Sequence, residues 1–327
     1  MSNKPQLNYL SQLAILLGLI GVGAIIGSLI AAGMWQAMTG GSIFNMEKDM
    51  LNPAFTNAAR WIQLVAAAFM FLVPAFVFAI IVNRKPLQHL GFSTVISLHQ
   101  LLLIVVLAFA AMALSGALGT LNEMIPISAK WEVKFKKAEE MYNQQVLVMA
   151  KMNNWKDYIF ALVVIALAPA IFEEVLFRGA LQKLFINWFG NTTTKAILAI
   201  AVTSIIFSAV HFSFYGFLAR AGLGMVLGLI FYYSRNIWLS ILLHFINNGI
   251  AVTALFVLSR NGKNPEAALK ENFPWWYGII ALGIVVTVFV SFKKESEQIG
   301  ALKITDGDLK LKNENNAVLV ITHYQRL

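Results

Sequence analysis

Residues 158–188 read YIFALVVIALAPAIFEEVLFRGALQKLFINW, an almost unbroken apolar run with Glu173, Glu174 and Arg178 at its middle. About 20 apolar residues are enough for a helix to cross the hydrocarbon of a bilayer. An ionisable group at that depth costs about 2.5–3.5 kcal/mol on insertion scales, so such groups turn inward and serve a function. The rest of the chain has the same character. Hydrophobic residues make up 58% and charged residues 13%, about half the charge of an ordinary soluble domain, and the mean hydropathy is +0.69. A soluble fold could not hide this much apolar surface.

Working outward gives eight candidate spans, at about Leu10–Trp35, Trp61–Val82, Leu101–Leu121, Tyr158–Trp188, Ala196–Phe212, Phe217–Tyr233, Ile237–Leu258 and Trp275–Phe292. The expected fold is all-α, a polytopic membrane helix bundle. We read residues 1–292 as a single transmembrane domain, with a catalytic core at about 157–255, and 293–327 as a polar C-terminal tail. The first span is too long and too Gly-rich for a removable leader. Asn83-Arg84-Lys85-Pro86 stops the second with charge and proline. Ile125–Asp157, with Lys134, Lys136, Glu139 and Glu140 among Trp131, Phe135 and Tyr142, suits an amphipathic helix at the interface or a solvated one. In the tail, Ala317–Ile321 suits a short strand or a disordered end.

The +9 charge is spread over loops and tail, with no dense basic stripe for nucleic acid, so membrane lipids are the expected partners of these cations. Arg84, Lys85, Arg235, Lys293 and Lys294 flank spans on one side, which predicts a multi-pass protein of the cell membrane with both termini in the cytoplasm, although Lys130–Lys156 compete from the other side. The absence of cysteine excludes disulfides, thiolate metal sites and a cysteine nucleophile. No repeat or inverted symmetry supports a transporter built from duplicated bundles.

Three polar clusters carry the chemistry. On a helix, residues four apart share a face and neighbours diverge by about 100°, so Glu174 can pair with Arg178 while Glu173 points elsewhere. A carboxylate without a local partner can act as a general base on water. Phe207 and His211 are also four apart, which lets the phenyl ring pack on the imidazole. His244 and Asn248 present an imidazole and a carboxamide side by side, an arrangement that could hold an oxyanion or simply bond a neighbouring helix. Gly222, Gly224 and Gly228 form a small-residue face for close packing. Asn247 points away from Asn248. His89, His99 and His323 have no acidic partner at helical spacing.

The ordered motifs E-E-x-x-x-R (Glu173 to Arg178), F-x-x-x-H (Phe207 to His211) and H-x-x-x-N (His244 to Asn248) resemble those of the CAAX-protease and bacteriocin-processing family, abbreviated CPBP and also called Abi. The resemblance covers about Asp157–Leu255, and Leu90-Gly91-Phe92 matches a weak feature of bacterial members. It implies an intramembrane endopeptidase acting near the membrane surface on a peptide or protein, including lipidated ones. Glu173 with His211 would activate water, His244 and Asn248 would hold the oxyanion, and Glu174, Arg178 and Phe207 would support the site. Family members are often described as metalloproteases, and Glu173, His211 and His244 offer zinc-ligand types. With no H-E-x-x-H helix, the favoured reading needs no cofactor. A non-catalytic immunity or scaffold protein and a proton-coupled transporter are the readings outside catalysis.

Overall fold

The computed structural model describes residues 7–190, 192–265, 274–301 and 318–320. Nine long helices follow one another among them: α1 (Tyr9–Thr39), α2 (Pro53–Val82), α3 (Leu98–Glu123), α4 (Ala129–Met149), α5 (Trp155–Phe189), α6 (Thr193–Ala209), α7 (Phe217–Ser234), α8 (Ile237–Arg260) and α9 (Tyr277–Ala301). All but α4 and α6 are long and apolar enough to cross a membrane, seven in number. Each of the eight expected spans is a helix, but the fifth, α6, has only 17 residues and stops at Ala209, so His211 lies in the turn beyond it. The last span runs on to Ala301, which makes the start of the expected tail helical. Helix α4 is the mixed-charge segment expected between the third and fourth spans.

Local signals explain the ends. Ser97 caps α3 through a reciprocal box with Gln100, satisfying two orphan backbone donors. Asn236 caps α8 through its side chain, and Arg235, in left-handed conformation with φ 52°, closes α7. The chain reverses between consecutive spans, giving the bundle two ends. One end gathers the start of α1, the 83–97 connection and the α7–α8 turn. There Lys183 donates to the His89 carbonyl at 2.7 Å, Asn236 Nδ2 to Val95 O at 3.1 Å and Ile237 N to Gly91 O at 2.9 Å. Gly91 needs its φ of +89°, and a Cβ there would strike the Phe231 ring. At this end β1 (Val95–Ser97) pairs antiparallel with β2 (Val318–Val320), so the tail segment is a strand.

At the opposite end Asn122 bridges α3 to the α6–α7 turn, donating to Phe214 O and accepting from Leu218 N, both at 2.9 Å. Arg60, fully buried, donates to the Met149 and Lys151 carbonyls at 2.8 Å and pins the end of α4. Helix α5 is the centre of an apolar cluster that includes Leu16, Phe78, Leu90, Phe177, Phe207 and Ile241. Leu17, Ile25 and Leu29 of α1, Phe109 of α3 and Val290 of α9 stay exposed, as residues facing lipid would. Lipid removes most of the hydrophobic drive between helices, leaving close packing of small residues to hold them. On α7 a Cβ at Gly224 would come within 3.0 Å of Ser204 and one at Gly228 within 2.6 Å of Ile200, so α6 packs there, whereas Gly222 of the expected small-residue face meets Leu118 of α3.

Candidate active site

The middle of α5 is not regular α-helix. Leu162–Leu167 and Val175–Gln182 are π-helical, and such widened turns are frequent at functional sites. Glu174 lies on the border of the second. It is fully buried and its Oε1 is 3.2 Å from Arg178 Nη1, the pairing expected from their spacing. Arg178 is equally buried, stacks over Phe207 at 4.6 Å and donates from Nη2 to Gly224 O at 3.2 Å. One turn on, Gln182 donates to Gly228 O at 2.9 Å. The glycine face of α7 therefore bares carbonyls to the polar side of α5.

The same Glu174 oxygen is 3.1 Å from His244 Nδ1. A carboxylate oxygen accepts this bond, so Nδ1 is the donating nitrogen and Nε2 is the nitrogen outside it. That Nε2 faces Glu173 Oε2 at 4.0 Å. The expectation set His211 beside Glu173; the imidazole that lies next to Glu173 is that of His244. His211 is held in the same way, Nδ1 donating to Phe207 O at 2.7 Å. Phe207 lies edge-on to both imidazoles, with centroids 5.0 Å from His211 and 6.0 Å from His244. It is the apolar hub between the polar helices. Glu173 keeps 14% of its side chain exposed where Glu174 has none, so it is the carboxylate that water can reach.

Asn247, read as packing, donates to Asn248 Oδ1 at 3.2 Å. This fixes the Asn248 amide and leaves its Nδ2 without a protein partner among the described residues. Arg220 went unremarked in the sequence. It interacts electrostatically with Glu173 and His211, packs over Tyr142 of α4 at 5.2 Å, and its buried Nη1 has no hydrogen-bond partner. A cation among the apolar residues of a span was the signal that could have found it. The turn bearing His211 is tied to α4 by Ser213 Oγ donating to Glu139 at 2.7 Å and by Phe135 stacked on Phe214 at 4.5 Å.

Zinc fits this arrangement only by donor chemistry. Both histidines have Nδ1 on an acceptor and Nε2 bare, as ligands require, but among the described residues no three candidate ligand side chains converge on one point.

Residues 155–250 match the family described as Rce1-like, type II CAAX prenyl endopeptidase Rce1-like. They run from the start of α5 into α8 and include all three polar clusters. This segment is similar to that family, and the three clusters whose order resembles the CPBP motifs all fall within it. Among curated proteins, the membrane-embedded CAAX protease MroQ of Staphylococcus aureus (strain USA300) is 30% identical over 129 residues, 39% of this chain and 48% of its own length. The chain thus spans about half the length of that relative. No solved structure matches it significantly. Helices α1–α3 and α9 lie outside the CPBP match and pack around it.

Proposed function

We propose that residues 155–250 form a CPBP-type intramembrane endopeptidase in which Glu173 and His244 activate water. The observation that supports this best is the clamp on His244: Glu174 holds Nδ1 so that the bare Nε2 faces Glu173 across 4.0 Å. That gap is too long for a direct hydrogen bond, and a water about 2.8 Å from each atom can bridge it. Glu173 takes one proton as the water oxygen attacks the scissile carbonyl. Asn248 Nδ2 and Arg220 donate to the oxyanion, a contribution of about 2.7–4 kcal/mol per donor in known cases. As the C–N bond breaks, Glu173 returns its proton to the leaving amine. The remaining proton of the new carboxylic acid passes to His211 Nε2, whose Nδ1 stays on the Phe207 carbonyl.

The substrate in this reading is a peptide chain presented at membrane depth. The description of the matching family as a CAAX prenyl endopeptidase makes prenylated C-terminal peptides the first to try. The test is cleavage by purified protein in proteoliposomes of a membrane-peptide library with prenylated members. Wild type should cut and Glu173→Gln should not. Equal cleavage by both, or an inert wild type across the library, would overturn the proposal.

A further inference from the structure

At the end of α5 away from the candidate active site, two cavities of about 530 and 600 Å³ share the walls Lys183 and Asn187. We propose that together they seat an anionic phosphate group carried by an amphiphile, the headgroup of a phospholipid. Cavities of this size suit a small ligand, and their walls are of two kinds. Amide side chains Asn8, Gln12, Asn83 and Asn187 line the first, and the Gln88 amide and the Arg235 guanidinium line the second. Beside them stand apolar walls, Ile81 and Val82 in one and Ile186 and Phe231 in the other. A polar cup edged by lipid-depth hydrocarbon matches a headgroup with its chains alongside.

Charge decides the sign of the ligand. Lys183 is partly buried, and Arg235 stands close enough to repel it. Neither has a carboxylate partner among the described residues. The Lys183 ammonium has three hydrogens and gives one, at 2.7 Å, to the His89 carbonyl. Burial and the Lys183 charge push His89 down to about 4, so its ring is neutral near pH 7 and adds a donor or acceptor without charge. Two cations brought together in a partly dry site, without an acid, are stabilised by an anion. Basic pockets between helices at a membrane face recognise phosphorylated headgroups in this way, with lysine as a compact charge on the phosphate.

The test is native mass spectrometry of the full chain, released from detergent after incubation with phosphatidylglycerol or with phosphatidylcholine, together with a thermal-shift titration with millimolar inorganic phosphate. A lipid source predicts retained phosphatidylglycerol that phosphate does not displace. A free-phosphate source predicts a phosphate-dependent rise in Tm without retained lipid, and both outcomes support an anion seat. Lys183→Met and the exposed Arg235→Gln should each weaken binding by at least about tenfold, the loss of one hydrogen bond to a charged group, and Lys183→Arg should recover much of it. Arg235→Gln keeps the test decisive if Lys183→Met fails to fold. No selective binding of either anion, or equal binding by wild type and both variants, would overturn the proposal. Peptide cleavage enters no readout, so the outcome is independent of the proposed peptidase activity.

Discussion

Replacing Glu174 by Gln separates the two adjacent glutamates. The substitution keeps an acceptor oxygen for His244 Nδ1 but leaves the Arg178 guanidinium, 1% exposed, without its counter-charge at 3.2 Å. Its remaining neighbours are a neutral carbonyl at 3.2 Å, the Phe207 ring at 4.6 Å and, farther off, the Glu173 carboxylate. A cation–π contact contributes about 2 kcal/mol at best in a dry site. Stranding one member of a buried ion pair costs about 3–5 kcal/mol. With an unfolding entropy of about 2 cal/mol/K per residue, a chain of this length should lose roughly 4–7 °C in Tm. Glu173→Gln should stay near the wild-type Tm, because its nearest basic atom is 4.0 Å away and its side chain remains partly wet. Fluorescence-detected thermal unfolding in detergent, run beside peptide cleavage, reads both quantities. Arg178→Met added to Glu174→Gln should recover part of the lost Tm, since no charge is then stranded. Equal Tm losses in the two glutamate variants, or a double variant less stable than Glu174→Gln, would refute the reasoning.

Asn248→Ala should lower kcat by about 10²-fold or more with little change in KM, as loss of one oxyanion donor does; a rise in KM at constant kcat would mark it as a substrate contact. Cleavage should survive exhaustive chelation, and loss restored by stoichiometric zinc would recast Glu173, His211 and His244 as ligands. His89, depressed to about 4 when folded against about 6.5 unfolded, has an unfolded state that binds more protons between those values. Its neutral form therefore supports the fold fully above pH 6.5 and loses that support as pH falls. The Tm of His89→Gln should accordingly drop less than that of wild type between pH 6.5 and 4.5, and parallel profiles would contradict the assignment.

The helices were legible because lipid demands long apolar runs, and the Glu174–Arg178 pair because it lies within one helix. What escaped the sequence is contact between helices. Nothing local says that Glu174 would hold Arg178 and His244 with the same oxygen, and that double contact turns Nε2 toward Glu173. Asn247 reads as packing because neighbours on a regular helix diverge, yet its amide still reaches Asn248. His99 has no acid at helical spacing but meets Glu295 of α9 at 3.1 Å, whereas His323 lies outside the described residues. The π-turns of α5 leave no mark in a pattern read at 3.6 residues per turn. Arg220 was visible as a charge in a span, but its link to Glu173 and His211 depends on how the α6–α7 turn folds back.

The shortness of α6 reaches beyond the protein. At 1.5 Å per residue, 17 residues measure about 25 Å, against about 30 Å of hydrocarbon in an average bilayer. Leu198 and Ile205 on its outer face are more than half exposed, and Phe212 just past its end is 87% exposed. In a bilayer that α6 spans, the leaflet beside it would dimple by several ångströms toward the His211 turn, at a cost of fractions of a kcal/mol per ångström of mismatch. Acyl-chain length would then bear on how readily water reaches Glu173. Short-chain lipids relieve the dimple and long-chain or sterol-thickened ones deepen it, so the thickness of the host membrane is itself an input to the site.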